Sequence, residues 1–484
     1  MKKSGSNIFS NLTLAIFFSR SFRARPWPNR EIRKRFLCSV LRTALEANGT
    51  RVIALLMAGL STFLLHADQF SLIAERHNVL DHTIKPALWA TQELPVKIDI
   101  SGYVKAEGIF DTRQNFTERD GHFLFFPLNR LPDVNGRDIN GRGEFDEYAI
   151  QTRVRFEAFG ADVGCFRSRS YIEADFFGTT DDTLDSFRMR HAYLCLESDD
   201  FDFWAGQTWH PMYFPVEAPD TISFNTGTPI DPYIRAPQFR LVYHNEHFDV
   251  VGTLIGILGD RPFGPLGPTD KYFRDSIMPD MNLQTRFKWD DGQQFIGLGV
   301  DFMRITPRLV SNTDYKDVNP FNAFSAIIYS RFAYDDHIIL YNKFCYADDA
   351  AIWDMIGGYA VHTVDPITDS RTYVPLRTIS WWSELIFQGP IEPALFIGWV
   401  ENIGAKKTII QNIGAEQTVY GLGTNIKSVL RASPRIRVYI KSFVLGAEVE
   451  YTRATYGTLD NFGNVTNTIP VGNTRFLFAT YYIF

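Results

Sequence analysis

Six arginines crowd one short stretch of the chain, and they come in pairs. Arg153 and Arg155, Arg167 and Arg169, and Arg188 and Arg190 are each two residues apart. On an extended strand that spacing puts both members of a pair on the same face. Folding the first two pairs about Ala161 as an antiparallel hairpin sets Arg153 against Arg169 and Arg155 against Arg167. A second hairpin, centred between Thr180 and Asp181, sets Arg188 against Glu173 and Arg190 against Tyr171. Like charges opposed across a sheet destabilise it, so the cluster needs counter-ions or a task. Planar guanidinium groups offer forked hydrogen bonds to carboxylates and phosphates, which makes anion recognition the expected chemistry. Glu157, Glu173 and Asp175 lie among the arginines and can pair with them, but three acids against six arginines leave a positive excess.

Such a cluster needs strands with one polar face, and the chain is built of them. In 97–111, Ile98, Ile100, Val104, Ala106 and Phe110 share one side, while Lys97, Asp99, Lys105, Glu107 and Asp111 share the other. Segments of this kind recur at 146–159, 163–177, 184–197, 201–208, 238–245, 247–258 and 281–290. They continue at 294–305, 322–334, 337–347, 377–388, 391–402, 432–440, 444–454 and 474–484, which makes sixteen. Short turns, such as 160–162, 198–200, 245–247 and 441–443, alternate with long Gly-, Pro- and Asp-rich stretches at 112–145, 209–237, 259–280, 347–376 and 403–431. That alternation is expected of an all-β transmembrane antiparallel barrel of about 16 strands, with long outer loops, short periplasmic turns and a wet interior. The last strand, TRFLFATYYIF, carries Phe476, Phe478, Tyr482 and a terminal Phe484 on one face. It is the strand expected to close the barrel against the first and to be read by the barrel assembly machinery.

The start of the chain points to the same compartment. Residues 52–65 form an apolar run after Arg51, followed by a cleavage-like Leu65-His66-Ala67, too short to span as a helix and suited to a secretory signal. The expected organisation is a leader at 1–67, in which 1–50 reads as a start placed too far upstream, a short periplasmic segment at 68–95, and a barrel domain at 96–484. Of the 49 Lys and Arg, 11 lie in the leader, against two of the 55 acids, which leaves 38 and 53 beyond it. That balance disfavours nucleic acid as a partner. Aromatics make up 15% of the chain while the mean hydropathy is only −0.13, as expected where lipid-facing positions alternate with polar ones. Cys165, Cys195 and Cys345 remain beyond the leader, an odd number that argues against a disulfide framework and lacks zinc-ligand spacing. No cofactor or metal is expected.

Three further features bear on function. The stretch 209–237 is rich in Pro, aromatics and acids, including Tyr213, Phe214, Glu217 and Asp220, and is expected to fold into the pore as a constriction. The outward face of the arginine strands carries Thr152, Ser168, Ser170 and His191, which is polar for a lipid contact and points to a subunit interface. Asp133 to Gly141 looks superficially like a calcium loop but misses the EF-hand spacing, so a turn-rich surface loop is the better reading.

The run Arg169-Ser170-Tyr171-Ile172-Glu173-Ala174-Asp175-Phe176-Phe177-Gly178, then Arg188-Met189-Arg190-His191-Ala192-Tyr193, then Ala205-Gly206-Gln207-Thr208-Trp209, resembles the DcaP-like branch of trimeric outer-membrane porins. The match covers about 145–210. It implies a homotrimer that passes small, preferentially anionic solutes such as dicarboxylates, with Arg153, Arg155, Arg169, Arg188 and Arg190 as basic positions and Glu173 and Asp175 as acidic neighbours. One departure is the shortness of 68–94, where such porins often carry a longer extension. The expected function is passive diffusion through a water-filled channel in the bacterial outer membrane, among lipid and lipopolysaccharide. The alternative is a non-selective or structural barrel or adhesin. A barrel hydrolase is remote, because the chain has no Gly-x-Ser-x-Gly elbow and its histidines are scattered.

Overall fold

A computed structural model describes residues 96–213, 218–225, 227–258, 263–335 and 337–484. The leader at 1–67, the segment at 68–95, and Phe214 and Glu217 lie outside these residues.

Alternation decides the architecture. In β1 (Lys97–Asp111) the apolar Ile98, Ile100, Val104 and Phe110 are exposed, whereas Lys105, Glu107 and Asp111 are buried. A wall with its oil outside and its charges inside is stable only in a bilayer, with the interior closed on itself. The second wall strand comes in two pieces, β4 (Glu144–Tyr148) and β5 (Arg153–Phe159), after a small hairpin of β2 (Asn115–Glu118) and β3 (Phe123–Pro127). Then follow β6 (Arg167–Asp175), β7 (Arg188–Glu197), β8 (Phe201–Trp209), β9 (Arg235–His244), β10 (Phe248–Ile255), β11 (Asp280–Trp289) and β12 (Gln294–Ile305). The circuit continues through β13 (Phe321–Tyr334), β14 (Ile338–Asp348), β16 (Arg371–Phe387), β17 (Ile391–Ala405), β19 (Ile426–Ile440), β20 (Phe443–Leu459) and β21 (Val465–Ile483). β15 (Gly357–Val364) and β18 (Val419–Leu422) extend the sheet within two of the long loops. The result is a closed antiparallel barrel of sixteen wall strands.

Closure uses the terminal strand as expected. β21 pairs with β1 from Tyr103 opposite Ile483 to Asp111 opposite Arg475. Gly102 and Phe484 exchange backbone hydrogen bonds of 3.0 and 3.1 Å. Gly102 is required there, since a Cβ would stand 2.2 Å from the carbonyl oxygen of Arg153.

The sequence reading needs three corrections in the wall and loops. The stretch 160–166 between β5 and β6 carries its own bridge, Val163 to Phe166, around Gly164 at φ +68°. The connection between β5 and β6 is therefore longer than 160–162. Several strands also outgrow their expected spans on the loop side: β16 starts at Arg371, β19 at Ile426 and β21 at Val465. The lipid-imposed alternation ends at the membrane edge, but backbone pairing does not. Finally, the loop 112–145 is not simply a surface loop, because Phe123, Leu124, Phe125 and His122 of the β2–β3 hairpin are buried.

Candidate functional site

The arginines of β5–β7 face the interior, but in a different register from the one expected. Arg153 stands opposite Asp175 rather than Arg169, and Arg155 opposite Glu173 rather than Arg167. Moving the turn from Ala161 to Gly164 shifts each partner by an even number of residues, which keeps the luminal face and changes its contents from like to opposite charges. Glu173 collects three guanidinium groups: Arg155 Nε at 2.7 Å, Arg190 Nε at 2.7 Å and Arg153 Nη1 at 3.5 Å. Asp175 takes Arg188 at 2.8 Å and Arg190 at 2.9 Å, so neither Arg188 with Glu173 nor Arg190 with Tyr171 is the main pairing. Arg169 lies between Glu157 and Glu197, each at 2.7 Å. Arg167, the first residue of β6, is exposed and does not stand opposite Arg155.

His191 is inside, not on the outer wall. Arg190 and His191 are both buried, so the strict alternation of β7 breaks between them, as at a bulge. The imidazole Nδ1 is 3.1 Å from Thr208 Oγ1, and the ring packs edge-on against Tyr171 and Trp209. Thr152, at the break between β4 and β5, accepts a hydrogen bond from the Lys105 amide. Of the polar outward set, Ser170 is exposed, flanked by exposed Ile172 and Phe156.

The described residues of the segment 209–237 lie across the lumen, held at many points. At its start, His210 Nδ1 accepts from the Met212 amide, which leaves the proton on Nε2 to bond Asp280 at 2.8 Å. Pro211 O accepts from Gln284, and Tyr213 O from Lys343. Asp220 receives Arg435 at 3.1 Å and both Nη atoms of Arg437, while its own amide donates to Glu384 at 2.9 Å. The Ile222 amide donates to Glu448, Ile222 O accepts from Lys105 at 2.9 Å, and Asn225 donates to Glu450 at 2.7 Å. Asp231 is buried between Lys343 at 2.7 Å and the Trp382 indole at 2.8 Å. Burial pushes its carboxyl above the ordinary range although both neighbours pull it down.

Two spaces remain between this segment and the β5–β9 wall. The one nearer the turns is about 610 Å³ and is faced by Arg153, Arg155, Arg190 and Arg437 against Glu173 and Asp220, with Tyr171, Tyr193 and Trp204 beside them. The one nearer the loops is about 220 Å³ and is faced by Arg119, Arg188 and Arg235 together with the acids Glu118 and Asp354. Phe224 and Tyr233 border both. The arrangement can attract and hold oxyanions on guanidinium groups, in a cavity whose low-dielectric walls strengthen each charge.

Several of these residues escape a reading of the sequence. Arg235 and Arg240 on β9, Arg431, Arg435 and Arg437 on β19, and Arg475 on β21 all point inward. Arg435 and Arg437 carry the same spacing of two as the pairs on β5–β7, and that signal sits in a segment already recognised as a strand. The acids Asp133 and Asp138 of the calcium-like stretch are taken up locally: Asp133 accepts from the Asn135 and Arg137 amides, and Asp138 pairs with Arg113 at 2.8 Å.

No protein-family model matches the chain, and no curated protein matches it. Among solved structures it is similar to the outer membrane channel DcaP of Acinetobacter baumannii, with 16% identity and a TM-score of 0.58 over 80% of this chain and 97% of that one. At that identity the likeness is one of fold. OmpT of Vibrio cholerae, at 10% identity and a TM-score of 0.46 over 80% of this chain and 98% of that one, also matches but is too distant to carry an argument. The same holds for an anion-selective porin from Comamonas acidovorans, at 8% identity and 0.46 over 80% of this chain and all of the other. The resemblance read from 145–210 thus has its counterpart in the whole barrel, and the fold is that of an outer-membrane channel.

Proposed function

We propose that this barrel is a passive channel of the bacterial outer membrane for small hydrophilic solutes, with a preference for anions such as dicarboxylates. The observation that carries the reading is the composition of the 610 Å³ space, where four guanidinium groups face two carboxylates. Arg155 is the most open of the ion-paired arginines on β5–β7, with 39% of its side chain exposed. The negative total of the chain beyond the leader does not oppose this. Charges on outer loops are screened beyond about 8–10 Å, whereas a narrow lumen focuses the field of its own groups.

The segment 209–237, with Tyr213 and Asp220, sets the constriction. The guanidinium, phenol and indole groups around it are suited to binding and release, which supports reading the barrel as a channel rather than an enzyme. Ser168 and Ser170 on the outer wall support a homotrimer, now without His191. Assembly through the barrel machinery and contact with lipopolysaccharide go with the same siting, and the leader at 1–67 delivers the chain there.

The test is a planar-bilayer recording of the purified barrel under a potassium chloride gradient. The reversal potential is expected on the chloride side. A cation-side potential removes the anion preference, and the absence of conductance under all conditions returns the barrel to a structural or adhesive role.

A further inference from the structure

Arg235 lines the loop-side space and, unlike Arg119 with Glu118 and Arg188 with Asp175, has no carboxylate partner among the described residues. It opens β9, directly after the crossing segment, and stacks on Trp209 at 4.7 Å and near the Tyr233 ring at 5.9 Å. Arg190 lies over the same indole at 5.5 Å, and Arg188 lines the same loop-side space as Arg235. Arg188 and Arg190 share Asp175, and among the described residues no acid pairs with Arg235. Its Nη1 atom is buried without a well-formed hydrogen bond, and so is the hydroxyl of Tyr233, a residue only 7% exposed that lies beside the same guanidinium. Two buried polar groups that meet mainly each other, and without good geometry, leave donors that an incoming oxyanion can satisfy.

Both groups border the 220 Å³ space on the loop side of the Phe224–Tyr233 neck. That volume holds several waters at about 30 Å³ each, which is room for a small oxyanion. We infer that Arg235 and Tyr233 form an oxyanion seat on the loop side of the neck, separate from the patch of Arg153 and Arg155 on the turn side. The ligand class is a carboxylate or phosphate, whose oxygens can accept from Arg235 Nη1 and from the Tyr233 hydroxyl together. The inference rests on reading the barrel as a channel. It adds that an anion is caught before the neck and passed to a second basic patch behind it.

The experiment is block of chloride current by inorganic phosphate across single barrels in a planar bilayer, added from either side. Wild type should show saturable block, more effective from the loop side. Arg235→Gln should raise the half-blocking concentration about tenfold, as the loss of one charge-assisted hydrogen bond implies. Tyr233→Phe, which removes only a hydroxyl, should raise it about threefold. Arg274→Gln, a largely exposed loop arginine that faces neither space, should leave it unchanged. Absence of block in wild type, or equal block in wild type and Tyr233→Phe, overturns the seat even if Arg235→Gln fails to fold. The reversal potential of wild type, read in the same bilayers, reports on the channel's anion preference independently. A cation-preferring barrel whose phosphate block still depends on Tyr233 would keep the seat and lose the preference.

Discussion

Arg155→Gln should lower the preference for anions over cations by roughly two- to eightfold. The magnitude follows from the geometry. An ion passing about 7 Å from a unit charge in a water-like dielectric feels about 0.6 kcal/mol, and screening at physiological salt reduces this to about 0.25 kcal/mol. Removing the charge acts on anion and cation with opposite sign, so their ratio changes by about 0.5–1.2 kcal/mol, where about 1.4 is tenfold. The fold should survive, because Arg155 is 39% exposed and a partly exposed pair contributes at most about 1 kcal/mol.

The sign of the effect has its own control. Glu173 is 3% exposed and binds Arg153, Arg155 and Arg190, so Glu173→Gln leaves three guanidinium groups with less compensation. Anion preference should then rise by a similar factor, at a cost of about 3–5 kcal/mol in folding stability. The assay is the reversal potential in a salt gradient, on barrels selected for heat-modifiable migration. If the two variants move the potential in the same direction, or neither moves it, the net charge of this cluster does not set selectivity.

Three other outcomes follow from the same geometry. Asp220→Asn removes the charge that holds Arg435 and Arg437 to the crossing segment, and single-channel recordings should show larger and noisier conductance; an unchanged trace would mean the remaining ties to Glu384, Glu448 and Lys105 suffice. Gly102→Ala should cut the yield of heat-modifiable barrel several-fold, since the added methyl meets the Arg153 carbonyl, and deletion of Phe484, which exchanges backbone hydrogen bonds with Gly102, should act in the same direction; wild-type yields in both would disconnect this corner from closure. Mass measurement in mild detergent should give three chains per particle, and a stable monomer across several detergents would remove the trimer.

The wall was legible because lipid and water enforce a period of two along every strand. For β12 the expected and observed spans coincide at 294–305, and for β1 at 97–111. What failed was whatever that period does not govern. The turn at 160–166 carries no alternation to count, so the sequence centres the hairpin at Ala161 rather than Gly164 and sets the arginines against each other instead of against Asp175 and Glu173. His191 was placed outside because one break in alternation between Arg190 and His191 inverts every later face of the strand. The β2–β3 hairpin escapes the sequence because segments that fill a lumen pack against luminal side chains with no repeat of their own.

The corrected register also divides the arginines by task, and the division can be tested. Arg431 on β19 and Arg475 on β21 bond the backbone of the two infolded segments. Arg431 donates to the carbonyl oxygens of Leu124, Phe125 and Thr228, and Arg475 to those of Gly121 and His122. Arg431 also donates to Thr452 and pairs with Glu450, and Arg475 pairs with Asp111, so both guanidinium groups are fixed and unavailable to a solute, and Arg431 is fully buried. Its replacement by Gln would leave several buried acceptors unmet, at about 1–3 kcal/mol each. Arg431→Gln should therefore lower the temperature at which the barrel loses its heat-modifiable form while the reversal potential stays at the wild-type value. Arg155→Gln should do the reverse, moving the potential and sparing the folded form. If Arg431→Gln shifts the potential as far as Arg155→Gln does, the inner arginines act as one field and the division between structural and solute-facing groups is wrong.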